Sequence, residues 1–275
     1  MKSELKKKNS IIILTIIMMA LLVVEISVLV YPIAYESACR NRTYPDLESK
    51  IDENVMSANI AIVAVSEKQS DNMTSTSYAQ GSSGVIFLRE GGRYYALTAN
   101  HVIAKADLRF IIIPYGTPSY KEYRNANENV GLSSYYNQFP KARIEYVDEK
   151  YDLAVISFED DSELSVLNIS ESPPEHGSRI ALIGNPDGEK FVQNFGEITS
   201  RGVVSFVTDD AFSENQVLLH SAFSDHGSSG CVVLNEDMQI AGIEIGGGED
   251  FQGRFRYGAM IPCDQIQEFI KEWQT

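Results

Sequence analysis

The chain has 275 residues, 44% of them hydrophobic and 22% charged, with scattered Gly and Pro. That composition excludes disordered, collagen-like and low-complexity classes and leaves room for one large or two small globular domains. The first thirty residues carry four lysines against Glu4 and Glu25, so of the formal charge of −15 the remainder accounts for −17, from 19 basic and 36 acidic side chains, a surface that repels phosphate backbones and argues against nucleic acid as a partner.

At the N-terminus, Lys6-Lys7-Lys8 precede an apolar run from Ile11 to Val24 that resumes after Glu25 and continues to Val30. About twenty residues at a rise of ~1.5 Å span about 30 Å, the hydrocarbon thickness of a bilayer. The reading is a basic cytoplasmic tail over residues 1–10 and a single-pass anchor over 11–30, with everything after Val30 outside the cytoplasmic membrane. Glu25, near the outer boundary, reaches toward water. The competing reading is a cleaved signal peptide and a secreted product. Against it, no small-x-small cleavage site is evident, and Glu36-Ser37-Ala38 before Cys39 puts a glutamate where a small residue is wanted. Residues 31–56 are polar and mixed in charge, with Pro32 and Pro45, and read as a linker to a folded domain over 57–275.

That domain consists of short strands. Asn59 to Val65 is the first, followed by a Ser/Asn/Thr-rich stretch to Tyr78 that reads as a loop. Gly84 to Leu88 and Arg93 to Thr98 flank Arg89-Glu90-Gly91-Gly92 as a hairpin. Leu108 to Pro114, Ala142 to Val147, Leu153 to Phe158, Arg179 to Ile183, Phe195 to Thr199, Val203 to Val207 and Gln216 to His220 follow, and then a hairpin of Val232 to Leu234 with Ile240 to Ile243. Many short strands with turn signals between them predict barrels or sandwiches. From Cys263 to Gln274, Ile266, Phe269, Ile270 and Trp273 fall on one helical face.

Cys39, Cys231 and Cys263 are odd in number with no C-x-x-C pair, which argues against a disulfide framework or structural zinc. His101, His176, His220 and His226 show no metal-ligand spacing, and no metal or other cofactor is expected.

Three stretches carry chemistry. Leu97-Thr98-Ala99-Asn100-His101-Val102 leaves a strand at a histidine, Tyr151-Asp152-Leu153-Ala154-Val155-Ile156 sets an aspartate at the mouth of a strand, and Gly227-Ser228-Ser229-Gly230 displays serine on a glycine turn. Each alone is an ordinary structural feature. Together they supply a nucleophile, an imidazole to take its proton and a carboxylate to fix the imidazole tautomer.

These stretches resemble the motif regions of the chymotrypsin-fold (trypsin-like) serine proteases, nearest to the HtrA/DegP-like branch. Gly81-Ser82-Ser83-Gly84-Val85-Ile86, Ile183-Gly184-Asn185-Pro186 and Gly196-Glu197-Ile198-Thr199-Ser200 resemble further segments of that branch, and the similarity runs from about residue 57 to 262. The resemblance implies an all-β fold of two antiparallel six-stranded barrels with a C-terminal helix. It implies Ser229 as nucleophile, His101 as general base and then acid, Asp152 as the orienting acid, and the N–H groups of Gly227 and Ser229 as oxyanion hole. The substrate would be a protein or peptide.

Ser228, Cys231 and Val232 depart from the family's usual residues. With no acid before Ser229, activation by an ion pair to a new N-terminus is not expected. Cys231 reads as a small apolar filler and Ser228 as a bystander. By resemblance, the substrate pocket falls on Phe223, Ser224, Ile243, Glu244 and Ile245. Glu244 either accepts a basic side chain or points outward, and strand alternation favours outward. No PDZ-like segment follows in this sequence. The expected function is a membrane-anchored serine endopeptidase working through an acyl-enzyme. The alternatives are a catalytically silent protease-fold module that binds partner or misfolded proteins, and an esterase on the same scaffold. Asn41-Arg42-Thr43, Asn72-Met73-Thr74 and Asn168-Ile169-Ser170 have the form of glycosylation acceptors.

Overall fold

A computed structural model describes residues 2–70, 73–104, 108–127, 130–185, 191–207 and 212–275. Asn72 and Pro186 lie outside the described residues.

Two antiparallel six-stranded units make up the body. In the first, β1 (Asn59–Ser70), β2 (Met73–Glu90), β3 (Arg93–Ala99), β4 (Arg109–Pro114), β5 (Arg143–Asp148) and β6 (Leu153–Glu159) are ordered β4-β1-β2-β3-β6-β5. This sheet curls until its ends meet. Ile111 bridges Lys141, and Ile112 and Ala142 N–H donate to Pro140 and Phe110 carbonyls at 2.9 Å. In the second, β7 (Arg179–Gly184), β8 (Val192–Val207), β9 (Phe212–His220), β10 (Val232–Leu234), β11 (Ile240–Glu249) and β12 (Phe255–Pro262) close fully in the order β10-β11-β12-β9-β8-β7.

Alternation along the strands divides the core into compartments, because successive side chains leave a strand on opposite faces. On β1, Ile60 and Ile62 join Ile86, Tyr94, Ile112 and Ile156 inside the first unit, while Ala61, Val63 and Val65 face a separate cluster with Tyr135 and Tyr136. On β7, Ile180 and Leu182 fill the second barrel, and Ala181 and Ile183 face the seam where they meet Val85, Leu97 and Val155 of the first unit. The C-terminal helix (Cys263–Trp273) lays Ile266 and Phe269 onto that seam, with Trp273 against the rings of Phe87 and Tyr95. Burying an aliphatic or aromatic side chain of this size contributes about 1.5–3 kcal/mol.

The hairpin at Gly91-Gly92 is as expected. Both glycines have positive φ, +59° and +83°, which a two-residue turn matching the strand twist requires. Three features of the strands differ from the sequence reading. The polar stretch after Val65 is no loop, since β1 and β2 continue as a two-stranded arm from Ser66↔Ser77 to Ser70↔Met73, tied at its root by the Glu67–Arg109 ion pair. A ribbon with water on both faces needs no apolar alternation, so its composition resembles that of a loop. The stretches at Phe195 and Val203 form one strand, β8, with a bulge near Ser200. Finally, β12 escaped notice because Gly258 and Arg256 break its apolar pattern. Gly258 is required because a Cβ there would lie 2.1 Å from His220 Cε1.

Upstream, α1 (Lys2–Arg40) is a single helix, long and apolar enough to cross a membrane. Its large apolar side chains from Ile13 to Ile33 stand exposed among the described residues. Residues 31–56, expected as a linker, are instead helical and docked. The last turns of α1 are followed by α2 (Pro45–Glu48) and α3 (Glu53–Ser57), and Cys39, Leu47, Val55 and Met56 are buried in the body. Only four of these twenty-six residues are buried apolar side chains, too few for a periodic signal, and only the tertiary fold supplies their partners.

Candidate functional site

The turn α4 (Asn100–Ile103) leaves β3 and carries His101 to the cleft, where its side chain is 45% exposed. Asp152 lies on the adjacent strand end, and the pairing of Ala99 with Leu153 sets the two residues side by side. Its side chain is 4% exposed and grips the histidine twice, taking the His101 backbone N–H on Oδ1 at 2.8 Å and contacting Nδ1 through Oδ2 at 2.6 Å. Asp152 sits at φ +52°, a left-handed conformation that Asp and Asn tolerate better than most residues.

The glycine turn of the second barrel is seated on the same strand ends. Ser83 N–H donates to the Ser229 carbonyl at 3.0 Å. Gly230, at φ +82°, lies so close to β3 that a Cβ would fall 2.2 Å from Thr98 Oγ1. Thr98 lies three residues before His101 and Gly230 directly follows Ser229, so this contact brings the two segments together from opposite units.

Buried backbone N–H groups are normally paired, and most of those in this turn are. Ser228 N–H donates to Asp225 O at 2.9 Å, Gly230 N–H to Glu244 O at 2.8 Å, Cys231 N–H to Ser228 O at 2.9 Å, and His226 N–H to Asp225 Oδ1 at 2.7 Å. Among the described residues, only the N–H groups of Gly227 and Ser229 in this run have no protein acceptor. Gly227 is held at φ +99°, where a Cβ would lie 2.3 Å from Asn185 O. Its carbonyl accepts from the Ser83 hydroxyl at 2.9 Å, and that hydroxyl accepts in turn from Asn185 N at 3.1 Å and Nδ2 at 2.8 Å. The Ser228 hydroxyl is buried and accepts from Asp225 N at 3.2 Å, whereas Ser229 is half-buried on the cavity wall.

A family model of trypsin-like peptidase domains matches residues 81–243, more than half of the chain. The chain belongs to the trypsin-like peptidase family. It is 28% identical over 242 residues to the serine protease Do-like HtrA of Bacillus subtilis (strain 168), covering 82% of this chain and 48% of that protein. To the protein of the same name from Lactobacillus helveticus it is 22% identical over 170 residues, 60% of this chain and 35% of that one. The chain thus spans about half the length, or less, of these relatives. Among solved structures, the HtrA-type protease AlgW with decapeptide superposes with a TM-score of 0.62 at 20% identity, over 84% of this chain and 67% of that one.

In this trypsin-like peptidase a cavity of about 190 Å³ opens beside Ser229, lined by Ser224 and Ser228 on one wall and Gly246, Gly247 and Tyr257 on the other. Of the residues expected to form the pocket, Ser224 does line it, but Phe223, Ile243 and Ile245 do not. Phe223 is buried against Phe255 and Cys39, with the Arg40 guanidinium 3.6 Å above its ring, and Ile243 and Ile245 belong to the seam core. Glu244 borders the cavity and does not point outward. It is 0% exposed, and its Oε2 meets His220 Nε2, also 0% exposed, at 2.6 Å. A strand of a closed barrel backed by the seam is buried on both faces, so alternation does not predict exposure there. Cys231 fills the barrel interior as expected. Burial first, and then the Glu244 charge, raise its thiol well above the usual range.

Sequence reasoning missed several contributors. Ser83 and Asn185 fall in stretches already singled out by resemblance, yet their hydrogen-bonding role depends on contacts between the two units. Arg40, reaching to within 3.6 Å of Asp225, and Arg42, donating to Ser221 Oγ at 2.5 Å, brace the pocket wall from the expected linker. Asp225 and His226, in the turn before Ser228, and Glu249, at the end of β11, bring ligand atoms within 4.8 Å of one another at the rim, a grouping that could hold a metal ion and that linear spacing did not reveal.

Proposed function

We propose that the chain is a membrane-anchored serine endopeptidase acting on protein or peptide segments outside the cytoplasmic membrane. The observation that carries this reading is the pair of unspent N–H groups at Gly227 and Ser229, in a turn whose neighbouring N–H groups are all committed, next to a histidine gripped by a buried carboxylate. The anchor is supported by the solvent-facing apolar side chains of α1 and by the lysines before them, which favour the cytoplasmic side. A peptide substrate accords with the decapeptide of the AlgW structure.

In the mechanism, Ser229 Oγ attacks the scissile carbonyl carbon while its proton passes to His101 Nε2. Asp152, fixed on Nδ1, keeps Nε2 free to accept and stabilises the imidazolium. The oxyanion takes its hydrogen bonds from Gly227 and Ser229 N–H, worth about 10²–10³ in rate per donor. Collapse expels the amine with the proton from Nε2 and leaves an acyl ester on Ser229. Water, deprotonated by His101, then repeats the addition and releases the carboxylic acid.

A fluorophosphonate probe should label the membrane-bound protein at Ser229. Labelling should vanish in Ser229→Ala with the fold intact, and labelling that persists in that variant overturns the assignment. A chain that never reacts would instead be the silent binding module. Ser83→Ala tests the support of the turn. It strips the Gly227 carbonyl and Asn185 N–H of their partner, which should cost about 1–3 kcal/mol in urea unfolding. The same change should lower kcat with KM little altered, because the loosened turn supports the N–H groups that act on the transition state.

A further inference from the structure

The tip between β11 and β12 is a built turn, not a loose loop. Asp250 N–H donates to Arg254 O at 2.9 Å, while Asp250 Oδ1 accepts the N–H groups of Gln252 at 2.8 Å and Arg254 at 3.1 Å. Its Oδ2 takes Arg254 Nε at 2.8 Å. This turn holds Phe251 out at 87% exposure, the highest of any large apolar side chain among the described residues. A single exposed aromatic is ordinary by itself; Phe251 stands apart because it shares a cavity with the end of the apolar helix α1.

The turn lies beside the end of the apolar run of α1. Val28, Tyr31, Pro32 and Tyr35 form one wall of a cavity of about 700 Å³, with Phe251 and Tyr257 on the other among the charged Glu249, Asp250 and Arg256. Val28 to Tyr35 covers roughly 10 Å along a helix and starts within the last residues of the apolar run, so it crosses from the edge of the hydrocarbon core through the headgroup zone. Tyr31 and Tyr35 sit where aromatic side chains favour the membrane–water boundary. Tyr257 and Glu249 also line the cavity beside Ser229, so the substrate site adjoins this surface directly.

We propose that the β11–β12 tip is a second membrane contact, with Phe251 seated in the headgroup zone of the bilayer that α1 crosses, and that the cleft therefore takes membrane-proximal segments of polypeptide. The inference rests on the anchored reading of α1. The contact is apolar and does not depend on anionic lipid, since the domain carries excess negative charge and Glu249 and Asp250 flank the tip. A continuous helix into the body, with Glu36 Oε2 accepting Phe255 N–H at 3.0 Å, keeps the cleft close to the surface.

The test uses the full chain in phosphatidylcholine nanodiscs, with one added cysteine at a time carrying an environment-sensitive fluorophore. The native thiols are buried, and burial raises the pKa of each, so they stay unlabelled. A label at Gln252→Cys should be quenched by lipids spin-labelled near the headgroup far more than one at Leu132→Cys, and adding Phe251→Asp should reduce it to the Leu132 level. Phe251→Asp should also lower kcat/KM for a membrane-tethered substrate by roughly tenfold, through lost effective concentration, and leave a soluble peptide unaffected. A label at Ile17→Cys reports on the anchor by quenching from deep in the chain region. Quenching at 17 with the 252 label no more quenched than the 132 label overturns the second contact alone. No quenching at 17 overturns the anchor and the inference with it. Equal loss on tethered and soluble substrates also overturns it.

Discussion

Replacing Asp152 with asparagine is expected to lower kcat by about 10⁴-fold while leaving the fold and its stability little changed. Asparagine tolerates the left-handed backbone at this position as aspartate does, and its carbonyl oxygen can keep the His101 N–H now bound at 2.8 Å. The loss falls on the other contact, where Nδ1 stands 2.6 Å from Oδ2. An amide N–H there donates to Nδ1 and forces the ring proton onto Nε2, so the nitrogen that should accept from Ser229 already carries a proton. Steady-state kinetics on an unfolded protein substrate, paired with a urea titration, separates this outcome from simple unfolding. A variant retaining more than about a tenth of the parental kcat would remove Asp152 from the proposed mechanism.

Glu244→Ala should destabilise the domain by about 3–5 kcal/mol, the usual consequence of removing one member of a buried ionisable pair. Glu244 and His220 have no access to water, and among the described residues His220 Nδ1 already has no partner, so the substitution leaves both imidazole nitrogens unpaired in the core. Gly258, with no side chain, lets β12 press on that ring, and water has little room to compensate. Replacing both residues with leucine should recover most of the loss, because neither partner is then stranded. Urea midpoints of the single and double variants give the coupling, and additive effects would count against the pair. The substitution should also reach the cleft. The Glu244 carbonyl accepts the Gly230 N–H at 2.8 Å and its N–H donates to Cys231 O at 3.0 Å, so its strand supports the turn that displays Ser229.

The parts of the site readable without coordinates are those whose chemistry is local. His101, Asp152 and Ser229 each stand in a short stretch of distinctive residue types at a strand end, and their order pointed to one arrangement. The strands from Arg93 to Thr98 and from Leu153 to Phe158 were legible because short runs rich in apolar residues between turn signals read as strands, even where, as in Leu153 to Phe158, both faces are buried. The site's supports were not legible. Ser83 reads as one serine in a polar run, and its hydroxyl matters only because Gly227 and Asn185 converge on it from residues 144 and 102 positions away.

The N-terminal apolar run, the composition of short strands and the types of the three cleft residues follow from the order of amino acids, because hydrophobic period and side-chain chemistry are local properties. The closure of the second barrel determined that Glu244 turns inward to His220, and not outward to water. Docking of residues 36–42 on the pocket wall turned an apparent linker into part of the site. Hydrogen bonds and burial between distant segments depend on which surfaces meet, and in this protein that is determined by two curled sheets packed along a common seam.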